Sequence, residues 1–226
     1  LSPVGVAFFR GFIGGLTLLI YAIATKQKLP MNIKHIGHLV IVALLMNSIP
    51  GYLFAVSETK VSSVTAGIIN ATTPLMTVLV ISAAFREQKI NINQGFGVII
   101  GFVGVLLVTN ILDNSASGTI VGIFELLIAT FCYGIAIPYS RKYVSPLPYS
   151  STSLATVQVC SSAVVLSPFL LIKSPLDHPW STKSLLGILL LGAVGTGFAY
   201  IWNFRNVKIA GAVVASTVTY VTPVVA

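Results

Sequence analysis

"AGIINATTPLMTVLVISAAFREQ", residues 66–88, is the stretch whose reading decides the fold. It is apolar enough for a membrane interior, yet Asn70, Thr72, Thr73 and Pro74 interrupt it. An interior proline removes an i to i−4 backbone bond, and in hydrocarbon a neighbouring helix or a nearby threonine must satisfy the freed carbonyl. The stretch therefore predicts a membrane helix with a hinge or cavity-lining bend at Pro74.

The rest of the chain sets the same environment. Its 226 residues are 55% hydrophobic and only 8% charged, with a mean hydropathy of +0.94. Soluble domains carry about 25% charged residues, so this chain has too little charge to solvate an outer surface. A membrane span needs roughly 20 apolar residues, and eight blocks approach that length, near 3–24, 38–57, 63–84, 94–112, 119–140, 150–172, 184–204 and 209–226. Barrel strands would be nearer 10 residues and would alternate in hydropathy. The fold class expected is an all-α polytopic membrane protein.

A net charge of +8 invites a nucleic-acid reading, but its placement argues for topology. The loops after blocks one, three, five and seven hold Lys26, Lys28, Lys34, Arg86, Lys89, Arg141, Lys142, Arg205 and Lys208, while the other loops hold Lys60, Lys173 and Lys183. Excess Lys and Arg marks the cytoplasmic side. The loops near 25–37, 85–93, 141–149 and 205–208 are therefore expected there, in the plasma (cell inner) membrane. Cys132 and Cys160 fall inside helices and read as packing residues. His35, His38 and His178 lack metal-ligand spacing.

An internal repeat is also visible. Thr73-Pro74 matches Thr222-Pro223 at an offset of 149 residues, and "SIPGYLF", 48–54, lies over "TGFAYIW", 196–202, at an offset of 148. The matching blocks are five helices apart, so the second copy enters the membrane from the opposite side. Inverted repeats of this kind typify secondary transporters, whose substrate sites lie at the repeat interface near the midplane. The expected division is 1–117 and 118–226. The chain begins at Leu1 and stops at "TPVVA", and the expectation is that one helix is missing at each end.

"LSPVGVAFFRGFIGGLTLL", "AGIINATTPLMTVLVISAAFREQ", "QGFGVIIGFVGVLLV", "YSRKYV" and "LLLGAVGTGFAYIWNFRNVKIAGAVVASTVTYVTPVVA" together resemble the drug/metabolite transporter superfamily, in particular EamA-type exporters. The resemblance covers essentially the whole chain. Its most specific pieces are Pro74 followed by Glu87, the glycine-rich helix after them, and the second Thr-Pro helix. It implies a ten-helix bundle of two inverted five-helix repeats, of which about eight helices are present here. It further implies export of amino acids, other metabolites or drugs, and lends Glu87 a structural role beside Arg86.

Several helices carry polar stripes that suit a hydrated cavity: Arg10, Gly14, Thr17 and Tyr21; Ser48 and Tyr52; Gln158 and Ser162; Thr196, Tyr200 and Asn203; Ser216 and Tyr220. Asn70 lies one turn before Pro74 on its face. Gly11/Gly15, Gly97/Gly101 and Gly118/Gly122 are spaced for close helix contact. "GFGVIIG", 95–101, has the wrong spacing and setting for a dinucleotide loop. No catalytic constellation is present, so neither enzymatic activity nor a cofactor or metal is expected. Charges in a bilayer interior face inward and pair or work. Arg10 and Glu125 both lie about seven residues from the outer helix ends, about 10 Å deep, and are expected to pair.

The expected protein is a secondary transporter exporting small organic metabolites by alternating access. Its partners are a small-molecule substrate and the lipid bilayer, with proton coupling at Glu125 as an option and no nucleic acid. The candidate substrate residues are Arg10, Asn70, Glu125, Gln158, Tyr200, Asn203 and Tyr220, with Pro74 and Pro223 as hinges. A channel or a non-transporting sensor on the same bundle is the alternative.

Overall fold

Five helices begin at a polar cap written into the sequence. Ser2, Asn32, Ser62, Ser150 and Ser181 stand in extended backbone, and each side chain accepts a bond from an amide N–H two or three residues on. Such caps satisfy donors that the first helical turn leaves open. A computed structural model describes residues 2–85, 91–108, 120–171 and 181–225. Arg86, Glu87, Lys89, Lys173, His178, Gly118 and the 117/118 division lie outside the described residues.

The described residues form eight helical segments and no strand. They are α1 (Pro3–Ala24), α2 (Ile33–Ser57), α3 (Ser63–Ala84), α4 (Ile92–Val108), α5 (Ile120–Val144), α6 (Ser151–Leu170), α7 (Thr182–Ala210) and α8 (Ala212–Val221, extended by Thr222–Val225). Six of them, all but α4 and α8, are long and apolar enough to cross a membrane. The chain is a multi-pass helical membrane protein, and the eight segments follow the eight apolar blocks.

Four helices are irregular in matched places. A π-helical turn interrupts α2 at Leu44–Ser48 and α7 at Ala193–Phe198. Helix α3 stops at Asn70 and restarts at Thr73, and α8 tightens to a 3₁₀ turn over Thr217–Val221 before restarting at Thr222. Ser48 and Thr196, which differ by the sequence offset of 148, lie in the two π turns, while Thr73 and Thr222, which differ by 149, begin the two restarted helices.

Helix α1 is wedged between α6 and α7, and α5 packs against α2 and α3. The α1–α6 crossing is antiparallel: Gly11 meets Ser162, Gly15 meets Cys160, and Thr156 Oγ1 donates to Leu18 O at 3.4 Å. On the other side, a side chain at Gly14 would lie 2.7 Å from the Gly192 carbonyl, and one at Gly192 would lie 2.7 Å from Ile13 Cβ. Close backbone approach of this kind drives helix association where water is absent. Of the expected glycine pairs, Gly11/Gly15 forms a helix contact. Gly101 meets the Tyr220 ring, Gly97 faces open space, and Gly122 meets Val61.

The basic segments gather at one end. Ser150 Oγ donates to Gln27 Oε1 at 2.6 Å, His35 bonds the Tyr149 hydroxyl at 3.3 Å, and His38 bonds the Tyr139 hydroxyl at 2.7 Å. Arg141 donates to the carbonyls of Val207 and Lys208, and Lys142 lies over the rings of Phe85 and Tyr143. The 25–37, 139–150 and 205–208 segments thus share a face, with Thr59 and Lys60 in the connection between α2 and α3 away from it. Single cysteines at Lys28 and Lys142, after replacement of Cys132 and Cys160, should react with an impermeant thiol reagent from the same membrane face, and one at Thr59 from the other. Labelling of Lys28→Cys and Thr59→Cys from one face would refute this arrangement.

A cavity between two broken helices

The break in α3 is built from its own hydroxyls. Pro74 has no N–H to give the Asn70 carbonyl four residues back, and Thr73 Oγ1 donates to that carbonyl at 2.7 Å. Thr72 Oγ1 serves the Ile69 carbonyl at 2.7 Å. In α8 the hydroxyls of Ser216, Thr217 and Thr219 serve the carbonyls of Val213, Val214 and Ser216. With its carbonyl satisfied, Asn70 sends its side chain across the gap: Nδ2 donates to Thr222 Oγ1 at 3.2 Å, joining the two breaks.

A cavity of about 410 Å³ opens beside this bridge. Asn70 and Thr73 line it from α3, Tyr200, Trp202, Asn203 and Asn206 from α7, Ser216 and Thr219 from α8, and Tyr133 from α5. Its size is ordinary for a small-molecule site. Three sequence candidates, Asn70, Tyr200 and Asn203, therefore meet in one place. Tyr133, Trp202, Asn206 and Thr219 join them without having been singled out. Asn206 could have been found, because it continues the stripe of Thr196, Tyr200 and Asn203 by one further turn.

The other four candidates lie elsewhere. Arg10 Nε donates to Thr196 Oγ1 at 3.1 Å in the π turn of α7, one helical turn before Tyr200. Gln158 is fully buried, and its Nε2 donates to Asn47 Oδ1 at 2.5 Å in the π turn of α2. Arg10 and Gln158 differ by 148 residues, the same offset that separates Ser48 from Thr196, and they hold the π turns of α7 and α2 respectively. The Tyr200 hydroxyl completes the α2 clamp by donating to Met46 O at 2.8 Å.

Tyr220 leaves the cavity because α8 changes pitch. A 3₁₀ helix turns about 120° per residue where an α-helix turns about 100°. Residue i+3 then returns to the face of Ser216, which is Thr219, and Tyr220 swings away. Its ring lies against Gly101 and its hydroxyl donates to Val98 O at 2.5 Å. Thus Tyr220 ties α8 to α4.

The expected Arg10–Glu125 pair does not form. Glu125 Oε1 instead bonds Lys60 Nζ at 2.5 Å, and Glu125 Oε2 is buried with no hydrogen-bond partner among the described residues. Equal depth suggested the pairing, but α5 packs mainly on α2 and α3, whereas α1 packs mainly on α6 and α7. Arg10 acts electrostatically on Glu58, just beyond the end of α2. Desolvation at the helix end pushes the Glu58 carboxyl above its usual range, and Arg10 pulls it partly back.

The model of the EamA-like transporter family matches this chain over residues 1–110 and 120–226. The chain belongs to the EamA-like transporter family. Among relatives of this EamA-like transporter, YdfC of Bacillus subtilis, described as an uncharacterized transporter, is 25% identical over 225 residues, covering 100% of this chain and 72% of its own. The uncharacterized inner membrane transporter YedA of Escherichia coli is 25% identical over 233 residues, covering 99% and 71%. A crystal structure superposes with a TM-score of 0.78 over 99% of this chain and 77% of its own, at 16% identity, a likeness of fold. The conclusion that this is a membrane transporter rests on the family.

Thr73→Val should lower stability by about 1 kcal/mol, because it leaves the Asn70 carbonyl unsatisfied. Thr73→Ser, which keeps the hydroxyl, should unfold close to the wild type. Detergent-titrated unfolding measures both, and equal losses in the two variants would remove the hydroxyl from the account.

Proposed function

We propose that this EamA-like protein is a secondary active transporter that exports small organic metabolites, amino acids or related compounds, by alternating access. The observation that carries the reading is the meeting of two interrupted helices at one cavity, joined by Asn70 and Thr222. Interrupted helices at mid-membrane supply uncovered backbone groups and bending points, and carriers with inverted repeats use both. Helices α3 and α8 hold equivalent places in the proposed repeats, 1–117 and 118–226. Pro74 and Pro223 are the proposed hinges. Asn70, Tyr200 and Asn203 are the proposed substrate contacts, with Tyr133 and Asn206 added from the cavity wall.

The gathering of the basic segments at the end bearing Lys28 and Lys142 supports a cytoplasmic location for that end, in the plasma membrane. At the opposite end, the Lys60–Glu125 pair ties the α2–α3 connection to α5. Glu125 is the proposed proton-coupling residue, since protonation would release that tie. The reading includes no catalytic step.

Counterflow in proteoliposomes tests it. Vesicles loaded with an unlabelled amino acid or related metabolite should transiently accumulate the same labelled compound, and Asn203→Trp, which fills the cavity, should abolish the accumulation. Equilibration without overshoot would point to a channel, and no exchange by any compound in a broad screen would point to a sensor. Glu125→Gln with wild-type exchange at every pH would remove the proton-coupling role alone.

A further inference from the structure

No residue among the described lining of the cavity carries a formal charge at neutral pH. Asparagine amides, hydroxyls and the rings of Tyr133, Tyr200 and Trp202 form its polar and aromatic wall. The electrostatic potential inside is therefore set by charges just behind that wall. Lys60 and Glu125 compensate one another. Arg10 takes no part in an ion pair among the described residues, and its hydrogen-bond partner Thr196 is neutral. Thr196 and Tyr200 stand one turn apart on the same face of α7, so the guanidinium is anchored one helical turn from a residue that lines the cavity. Glu58, which feels Arg10 electrostatically, forms no ion pair with it among the described residues, so it offsets the guanidinium only in part.

We infer that Arg10 sets the charge selectivity of the cavity, which takes solutes bearing a carboxylate or similar anionic oxygen group on an apolar or aromatic body and rejects cations. This rests on the reading of the cavity as the transport site. In a low-dielectric surrounding, a fixed positive charge about 10 Å from a bound group, at an effective dielectric constant of about 20, changes affinity roughly tenfold in either direction. A carboxylate gains that factor, a cation loses it, and a neutral isostere falls between. The asparagine amides and the Ser216 and Thr219 hydroxyls can donate to carboxylate oxygens, while the aromatic rings cover the apolar body.

Benzoate, benzamide and benzamidinium form a planar, nearly isosteric series of charge −1, 0 and +1 that isolates this effect. Saturation-transfer NMR titration of the purified full-length protein should show benzoate binding at least about tenfold more tightly than benzamidinium, with benzamide between them. Asn203→Trp should abolish the signal of all three by filling the cavity. Arg10→Gln keeps a hydrogen-bond donor for Thr196 but removes the charge, and it should bring the three affinities together. Arg10→Lys keeps the charge and should preserve the order. Equal binding of benzoate and benzamidinium by the wild type, binding of none of the three, or an order untouched by Arg10→Gln would overturn the inference. A charge preference without counterflow would sustain it while removing the transport reading, whereas counterflow of a cationic solute would do the reverse.

Discussion

Pro74 cannot bond to the Asn70 carbonyl, and in hydrocarbon that carbonyl must find another donor. The hydroxyl of Thr73 supplies it within the same turn. With that need met locally, the helix can stop and restart within its span. The Asn70 side chain is left to reach Thr222 in the second broken helix. The space beside that bridge becomes the cavity. Without a hydroxyl at position 73, the break would expose an orphaned acceptor at the cavity wall.

A second pair of irregularities frames the first. The π turns of α2 and α7 are held from α6 and α1, by Gln158 to Asn47 and by Arg10 to Thr196. Gly14 and Gly192 at the α1–α7 crossing bring those backbones close enough for Arg10 to reach Thr196. The two holding residues stand 148 positions apart but use different chemistry, a neutral amide in one and a guanidinium in the other.

Hydropathy and loop charge made the eight helices and the shared basic face legible in the sequence, because both depend on depth in the membrane and depth follows chain position. The proline breaks were legible because a missing N–H is a property of the residue itself. Azimuth was not. Arg10 and Glu125 sit at matched expected depths, yet they face different neighbours, and only packing decides which. Tyr220 shares an α-helical stripe with Ser216, but the 3₁₀ turn over Thr217–Val221 redirects it to Gly101 and brings Thr219 inward. Gln158 carries the polarity expected of a cavity residue and spends it inside a helix interface. Tyr133 was missed because α5 carries tyrosines at 133, 139 and 143, and hydropathy does not say which of them faces the cavity.

The central claim is that the cavity between α3 and α8 is reached from each face of the membrane in turn. Alkylation of a single cysteine at Asn203, in right-side-out and inside-out vesicles with Cys132 and Cys160 replaced, tests it most directly. The account predicts reaction from both faces in the uncross-linked protein. It further predicts that a disulfide between Val61→Cys and Gly122→Cys, which would hold the Lys60 end shut, blocks labelling from that face and leaves it intact from the other. Protection of Asn203→Cys from both faces, or reaction from both with the disulfide in place, would contradict the account.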